Sequence, residues 1–90
     1  MKVRNVISEN SGRAVANQFI IKDDEGNTYF QSYDSIIAKR SYPDRTVTLD
    51  EDTWDFSMTT GRYRNQFLGE TKKETEKKIA SGEYKMGNLN

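Results

Sequence analysis

Residues Ala14 to Lys22 (A-V-A-N-Q-F-I-I-K) and Thr28 to Tyr33 (T-Y-F-Q-S-Y) are two β-branched and aromatic runs of strand length, separated by Asp23-Asp24-Glu25-Gly26-Asn27. This pairing constrains the fold more than any other feature, because it reads as a hairpin closed by a short loop. Gly26 and Asn27 tolerate positive φ there, and the three acids before them keep the loop in water. Alternation along the first strand puts Val15, Asn17, Phe19 and Ile21 on one face, with Ala16, Gln18 and Ile20 on the other. The larger apolar set predicts that the first face meets the core.

Ser35 to Arg40 (S-I-I-A-K-R) continues the β pattern after a bend or bulge at Asp34-Ser35, where short polar side chains compete for backbone bonds. Ser41-Tyr42-Pro43-Asp44 then supplies a turn, and Arg45 to Leu49 (R-T-V-T-L) another strand with Val47 and Leu49 inward. Val3, Val6 and Ile7 are spaced for either a further strand or a helical turn.

The texture changes after Asp50. Thr59 or Thr60 can cap a short helix running to about Leu68, in which Tyr63 and Phe67 lie one turn apart and Gly69 ends the run. Thr71-Lys72-Lys73-Glu74 is a capping box, and with Gly82 it predicts a second helix over 71–81, with Glu74 and Lys78 as an i, i+4 pair. The apolar stripe of that helix is thin, Ile79 and Ala80 with Thr75, so most of its circumference should be wet. Glu83 to Met86 is a candidate short strand, and Gly87 to Asn90 should fray. The expected architecture is one α+β domain over residues 1–90: a small antiparallel sheet of three to four strands, N-terminal, packed with two C-terminal helices.

Composition bears on function by subtraction. The chain has no His and no Cys. A Ser-His-Asp triad, a cysteine nucleophile, structural zinc and disulfides are thereby excluded, which leaves carboxylates, Lys, Tyr and hydroxyls as the available reactive groups. No phosphate-cradling glycine motif is present, and no catalytic residue, metal site or cofactor is expected. No apolar run approaches the length that crosses a bilayer, and the start Met1 to Ile7 lacks the apolar region of a secretion signal, so a cytoplasmic setting is expected.

Asp50, Glu51, Asp52 and Asp55 form the densest acidic run. A cation site there competes with the plainer reading of a solvated strand-to-helix connection, and the spacing fits no EF-hand. Lys72, Lys73, Lys77 and Lys78 interleave with acids as on a solvated helix face. One Trp, five Tyr and four Phe are a generous aromatic supply for 90 residues. Many of these rings are needed for the core, and the rest are candidate contacts. Tyr33, Trp54, Arg62, Tyr63 and Arg64 group around the strand-to-helix junction, and Arg40 could join Arg62 and Arg64 in a basic patch. Tyr, Trp and Arg are the residue types that concentrate interface energy. The alternative is a sheet face that stacks single-stranded nucleic acid on Tyr29, Phe30 and Tyr33 with Lys39, Arg40 and Arg62 on the backbone. Balanced charge, with fourteen basic and fourteen acidic residues, weighs against that alternative.

The stretches Tyr29 to Ala38 (Y-F-Q-S-Y-D-S-I-I-A) and Trp54 to Gly69 (W-D-F-S-M-T-T-G-R-Y-R-N-Q-F-L-G) together resemble a family of small uncharacterised proteins encoded by phages, prophages and plasmids of Gram-positive bacteria. In that family a strand with an F-x-S-Y core precedes a tryptophan, a T-T pair and a Y-x-x-x-F-L helix. The likeness runs from about Asn17 to Tyr84, with Phe56 where a tyrosine is expected. It implies an accessory protein that binds a host or phage macromolecule, most readily a protein, in the cytoplasm of a bacterial host; it carries no catalytic residues with it.

Overall fold

The computed structural model describes residues 1–90. Its sheet has six strands in the order β1 (Lys2–Ile7), β2 (Ala14–Lys22), β3 (Thr28–Ser32), β4 (Ser35–Arg40), β5 (Val47–Asp50) and β6 (Lys85–Gly87). The first five form an antiparallel meander, and β6 runs parallel to β5. Helices α1 (Met58–Leu68) and α2 (Lys72–Ser81) fill the β5–β6 connection, the route a parallel pair requires. The architecture is α+β, but the sheet is larger than the expected three to four strands. The difference lies at its two edges. The ambiguous Val3-Val6-Ile7 spacing resolves as a strand because β1 pairs along β2, and the candidate strand at 83–86 forms as β6, two residues further on at its start, held by its parallel pairing with β5.

The core-facing side of β2 is the reverse of the expected one. Gln18 and Ile20 lie opposite Ser32 and Phe30, and Phe30 stacks on Phe67 of α1 at 6.0 Å between ring centroids. Phe19 and Ile21 therefore share the outer face with Tyr29 and Val3. Alternation fails as a guide because β2 is irregular. Asn5 pairs with Phe19 while Ile7 already pairs with Ala14, so residues 15–18 leave the ladder, and Asn17 takes φ 64°. A second bulge in β4 opposite Phe30 and Gln31 lets the consecutive residues Ile37 and Ala38 both be buried. The bend expected at Asp34-Ser35 is instead a tight hairpin turn at Tyr33-Asp34, with Tyr33 at φ 56°.

Two apolar clusters share Phe67. One joins Ala38, Val47, Leu49 and Tyr84; the other joins Val6, Phe30 and Ile37. The helices are held differently: their fully buried positions are Thr60, Arg64 and Thr75, all polar. Such residues stabilise only when hydrogen-bonded, so the helical layer rests on polar staples as much as on apolar contact. The α2 capping box forms as expected, from Thr71 and Glu74. Lys78, however, pairs with Glu70 at 2.7 Å rather than with Glu74, whose carboxylate is occupied at the cap. The four residues after Met86 do not fray. Leu89 donates to Asp50, and the Asn90 amide both accepts from the Ile36 N–H and donates to the Ile36 carbonyl.

Polar satisfaction fails at Gln18 and at Arg64 Nε, and Gln18 is the larger failure. Its side chain is fully buried, and neither Oε1 nor Nε2 has a hydrogen-bond partner. Burying an unpaired amide costs about 1–3 kcal/mol. Gln18→Leu, similar in volume, is expected to raise stability by about 1–2 kcal/mol, read as a higher urea midpoint at unchanged slope; a lower midpoint would contradict this account.

Candidate binding site

The start of α1 is built by a relay of hydroxyls. Ser57, not Thr59 or Thr60, is the cap: its Oγ accepts from the Thr60 N–H at 3.1 Å and its O–H donates to Thr60 Oγ1 at 3.0 Å. Thr60 Oγ1 also lies 2.9 Å from Ser32 Oγ, a buried link that ties the end of the β3–β4 hairpin to the first turn of the helix. Large apolar side chains stand in solvent around this junction. Tyr33, directly after Ser32, is 52% exposed; Phe56 and Met58, on either side of Ser57, are 50% and 91% exposed.

Beside them an open recess of about 830 Å³ runs along α1, lined by Val15, Met58, Arg62, Tyr63, Asn65 and Lys72 among others. Beneath it lies Arg64, whose side chain is 1% exposed. Its Nη1 donates to the Trp54 carbonyl at 2.7 Å and to Asp55 Oδ1 at 3.1 Å, its Nη2 donates to Asn65 Oδ1 at 3.0 Å, and the guanidinium sits 5.1 Å from the Trp54 ring centroid. Asp55 also pairs with Lys72 at 2.7 Å. Burial raises the Asp55 carboxyl, but hydrogen bonds from Lys72 and Arg64 and their charges prevail and hold it below the usual aspartate range.

The six contact residues expected from sequence therefore have different fates. Arg62, Tyr63 and Arg64 line the recess. Trp54 lies against Arg64 and packs onto the Leu49 cluster. Arg64 and Trp54 are thus framework rather than free contacts. Tyr33 belongs to the exposed junction, whereas Arg40 sits at the other end of α1, donating to the Phe67 carbonyl at 3.2 Å, so no basic patch joins it to Arg62 and Arg64. Met58 was not legible as a contact, since its exposure follows from standing just after the cap.

The aromatic set proposed for stacking nucleic acid is divided. Phe30 is fully buried on the helix side, and Tyr29 lies on the outer face under Lys39. The acidic run is divided too. Asp50 is buried and accepts four hydrogen bonds, from the N–H groups of Asp52, Thr53 and Leu89 and from Thr53 Oγ1. Asp55 is occupied by Arg64 and Lys72, and Glu51 and Asp52 are exposed. The connection is a folded hydrogen-bonded turn rather than a set of converging free carboxylates.

No helix is long and apolar enough to cross a membrane. These features define a small α+β protein with a six-stranded mixed sheet, a two-helix crossover and an apolar corner open to solvent. Residues 1–83 match a family of unknown function, DUF8033, and the chain belongs to that family. No curated protein and no solved structure matches it.

Proposed function

We propose that this is a non-enzymatic accessory protein of a phage, prophage or plasmid that acts in the bacterial cytoplasm by occupying the surface of a host or phage protein. The observation that carries the reading is the corner formed by Tyr33, Phe56 and Met58. Three large apolar side chains stand in water on a scaffold pinned by the Ser32–Thr60–Ser57 relay, with Arg62 beside them. Apolar groups gathered in this way favour a protein contact, and a rigid mount lowers the ordering cost of making one. The motif likeness to mobile-element proteins supplies the cellular context.

The test is site-specific photo-crosslinking in a bacterial host, with the reactive side chain at position 33, at 58, or at 77 on the exposed face of α2. One discrete protein adduct shared by positions 33 and 58 and missing at 77 is expected. The combined variant Tyr33→Ala, Met58→Asp should weaken binding of that protein at least tenfold. Adducts equal at all three positions, or at none, would overturn the proposal.

A further inference from the structure

The register of the sheet gathers cations that lie far apart in sequence. Lys2 pairs with Lys22, Lys22 with Thr28, and Thr28 with Arg40, so these residues form one row across β1 to β4. At about 4.8 Å per strand the row spans about 14 Å. Arg4 stands in the neighbouring row, opposite Ile20. Arg40 places the row on the helix side of the sheet, because its guanidinium lies 4.9 Å from the Phe67 ring centroid. Lys2, Arg4 and Lys22 are exposed.

Two adjoining recesses of about 640 and 290 Å³ open here and share Arg4, Ile20 and Thr28. Ile20 gives them an apolar floor, and the half-buried Tyr63 lines the smaller one. Glu9 is the only acid lining either recess. The ion pairs of the protein are Met1–Asp24, Arg64–Asp55, Lys72–Asp55 and Lys78–Glu70, so none of the four cations is neutralised. Of the acids in the nearby β2–β3 loop, Asp23 is engaged by Glu25, Asn27 and Tyr29, and Asp24 by the Met1 amine.

Like charges directly opposite each other on neighbouring strands destabilise a sheet. Lys2 and Lys22 are such a pair, in a chain with as many acids as bases. An anionic ligand relieves that repulsion. Arg forks, Lys point charges and a Thr hydroxyl are the donors that hold phosphate, and the length of the row exceeds what one phosphate group can cover. Apolar surface beside a line of cations matches the make-up of nucleotides. We propose that this uncovered corner of the sheet, distinct from the Tyr33–Met58 corner, binds the phosphates of a nucleotide ligand through Lys2, Lys22, Arg40, Thr28 and Arg4.

The ligand chemistry has two sources, and the experiment separates them. Fluorescein-labelled dT10 is titrated by anisotropy and ATP by calorimetry, each at 20 and 300 mM NaCl, with poly-glutamate as an anion without phosphate. Binding of dT10 or of ATP is expected, at least tenfold tighter than poly-glutamate on a per-charge basis. If dT10 is the tighter ligand, its affinity should fall with salt at a log–log slope of about 2, as for roughly three phosphates on a single strand.

The double variant Arg4→Glu, Lys22→Glu should lose at least tenfold in affinity. Because Lys22→Glu replaces a like-charge pair by an opposite one, the thermal midpoint of that variant should not fall, which separates lost binding from lost folding. Lys73→Glu, Lys77→Glu on α2 makes the same charge change and should leave affinity within twofold. Failure of both phosphate ligands, equal binding of poly-glutamate, or equal losses in the two double variants would overturn the proposal.

Discussion

Replacing Arg64 by alanine is expected to destabilise the protein by roughly 2–4 kcal/mol, the cost of emptying a buried site and leaving its hydrogen-bond partners unpaired. The side chain is 1% exposed, and its removal takes the donor from the Trp54 carbonyl and a partner from Asp55 while opening a cavity under α1. Lys72 still pairs with Asp55, so the carboxylate is not left alone, which places the loss toward the lower end of that range. Arg64→Lys keeps the charge but cannot reach the Trp54 carbonyl, Asp55 and Asn65 at once, and should recover less than half of the loss. Urea midpoints at constant slope decide the matter. A loss below about 1 kcal/mol would mean that Arg64 is a contact residue after all and not a framework one.

Asp50→Ala is expected to cost about 3 kcal/mol, because three backbone donors and a hydroxyl lose their acceptor in a site 2% exposed. The same carboxylate gives stability a pH dependence. Burial raises its pKa, but the hydrogen bonds from Leu89, Thr53 and Asp52 together outweigh burial and hold it below the usual aspartate value. Glu70 behaves alike. Burial raises it, while Lys78, Thr75 and Tyr84 lower it further, to a net depression. A group depressed in the folded state contributes fully above its unfolded value and loses that contribution as the pH falls through the folded one. Stability should therefore be flat from neutral pH to about pH 5 and fall below about pH 4. Asp50→Ala should make the acid limb shallower, measured as thermal midpoint against pH; an unchanged limb would assign the acid sensitivity to other groups.

Legibility in the sequence followed the range of the interaction. The β2–β3 hairpin, the capping box at Thr71 and Glu74 and the helix stop at Gly69 depend on neighbours within a few residues, and these were readable. The core face of β2 was not, because a rule of strict alternation cannot anticipate residues 15–18, Asn17 among them, leaving the ladder with β1. Arg64 reads as a surface cation until its partners Trp54, Asp55 and Asn65 are folded around it. The row from Lys2 to Arg40 was invisible for a related reason. Its members are brought side by side only by the pairing register, and the even charge count of the chain conceals their segregation.

The parallel seam between β5 and β6 also bears on the order in which the chain assembles. Every other strand pair closes through a short connection, but this one must bring Thr48 beside Lys85 and Asp50 beside Gly87 across a connection of residues 51–84, which includes both helices. Chain closure over that distance carries a larger entropy cost than any hairpin, so the meander can zip before the seam exists. Tyr84, next to β6, covers the cluster of Ala38, Val47 and Leu49, and Leu89 caps Asp50 from beyond it. The last contacts to form are thus the ones that seal half of the core. A transient opening at this edge would expose that half while the meander stays intact, and the amide protons of β6 should exchange with solvent ahead of those at the centre of β3.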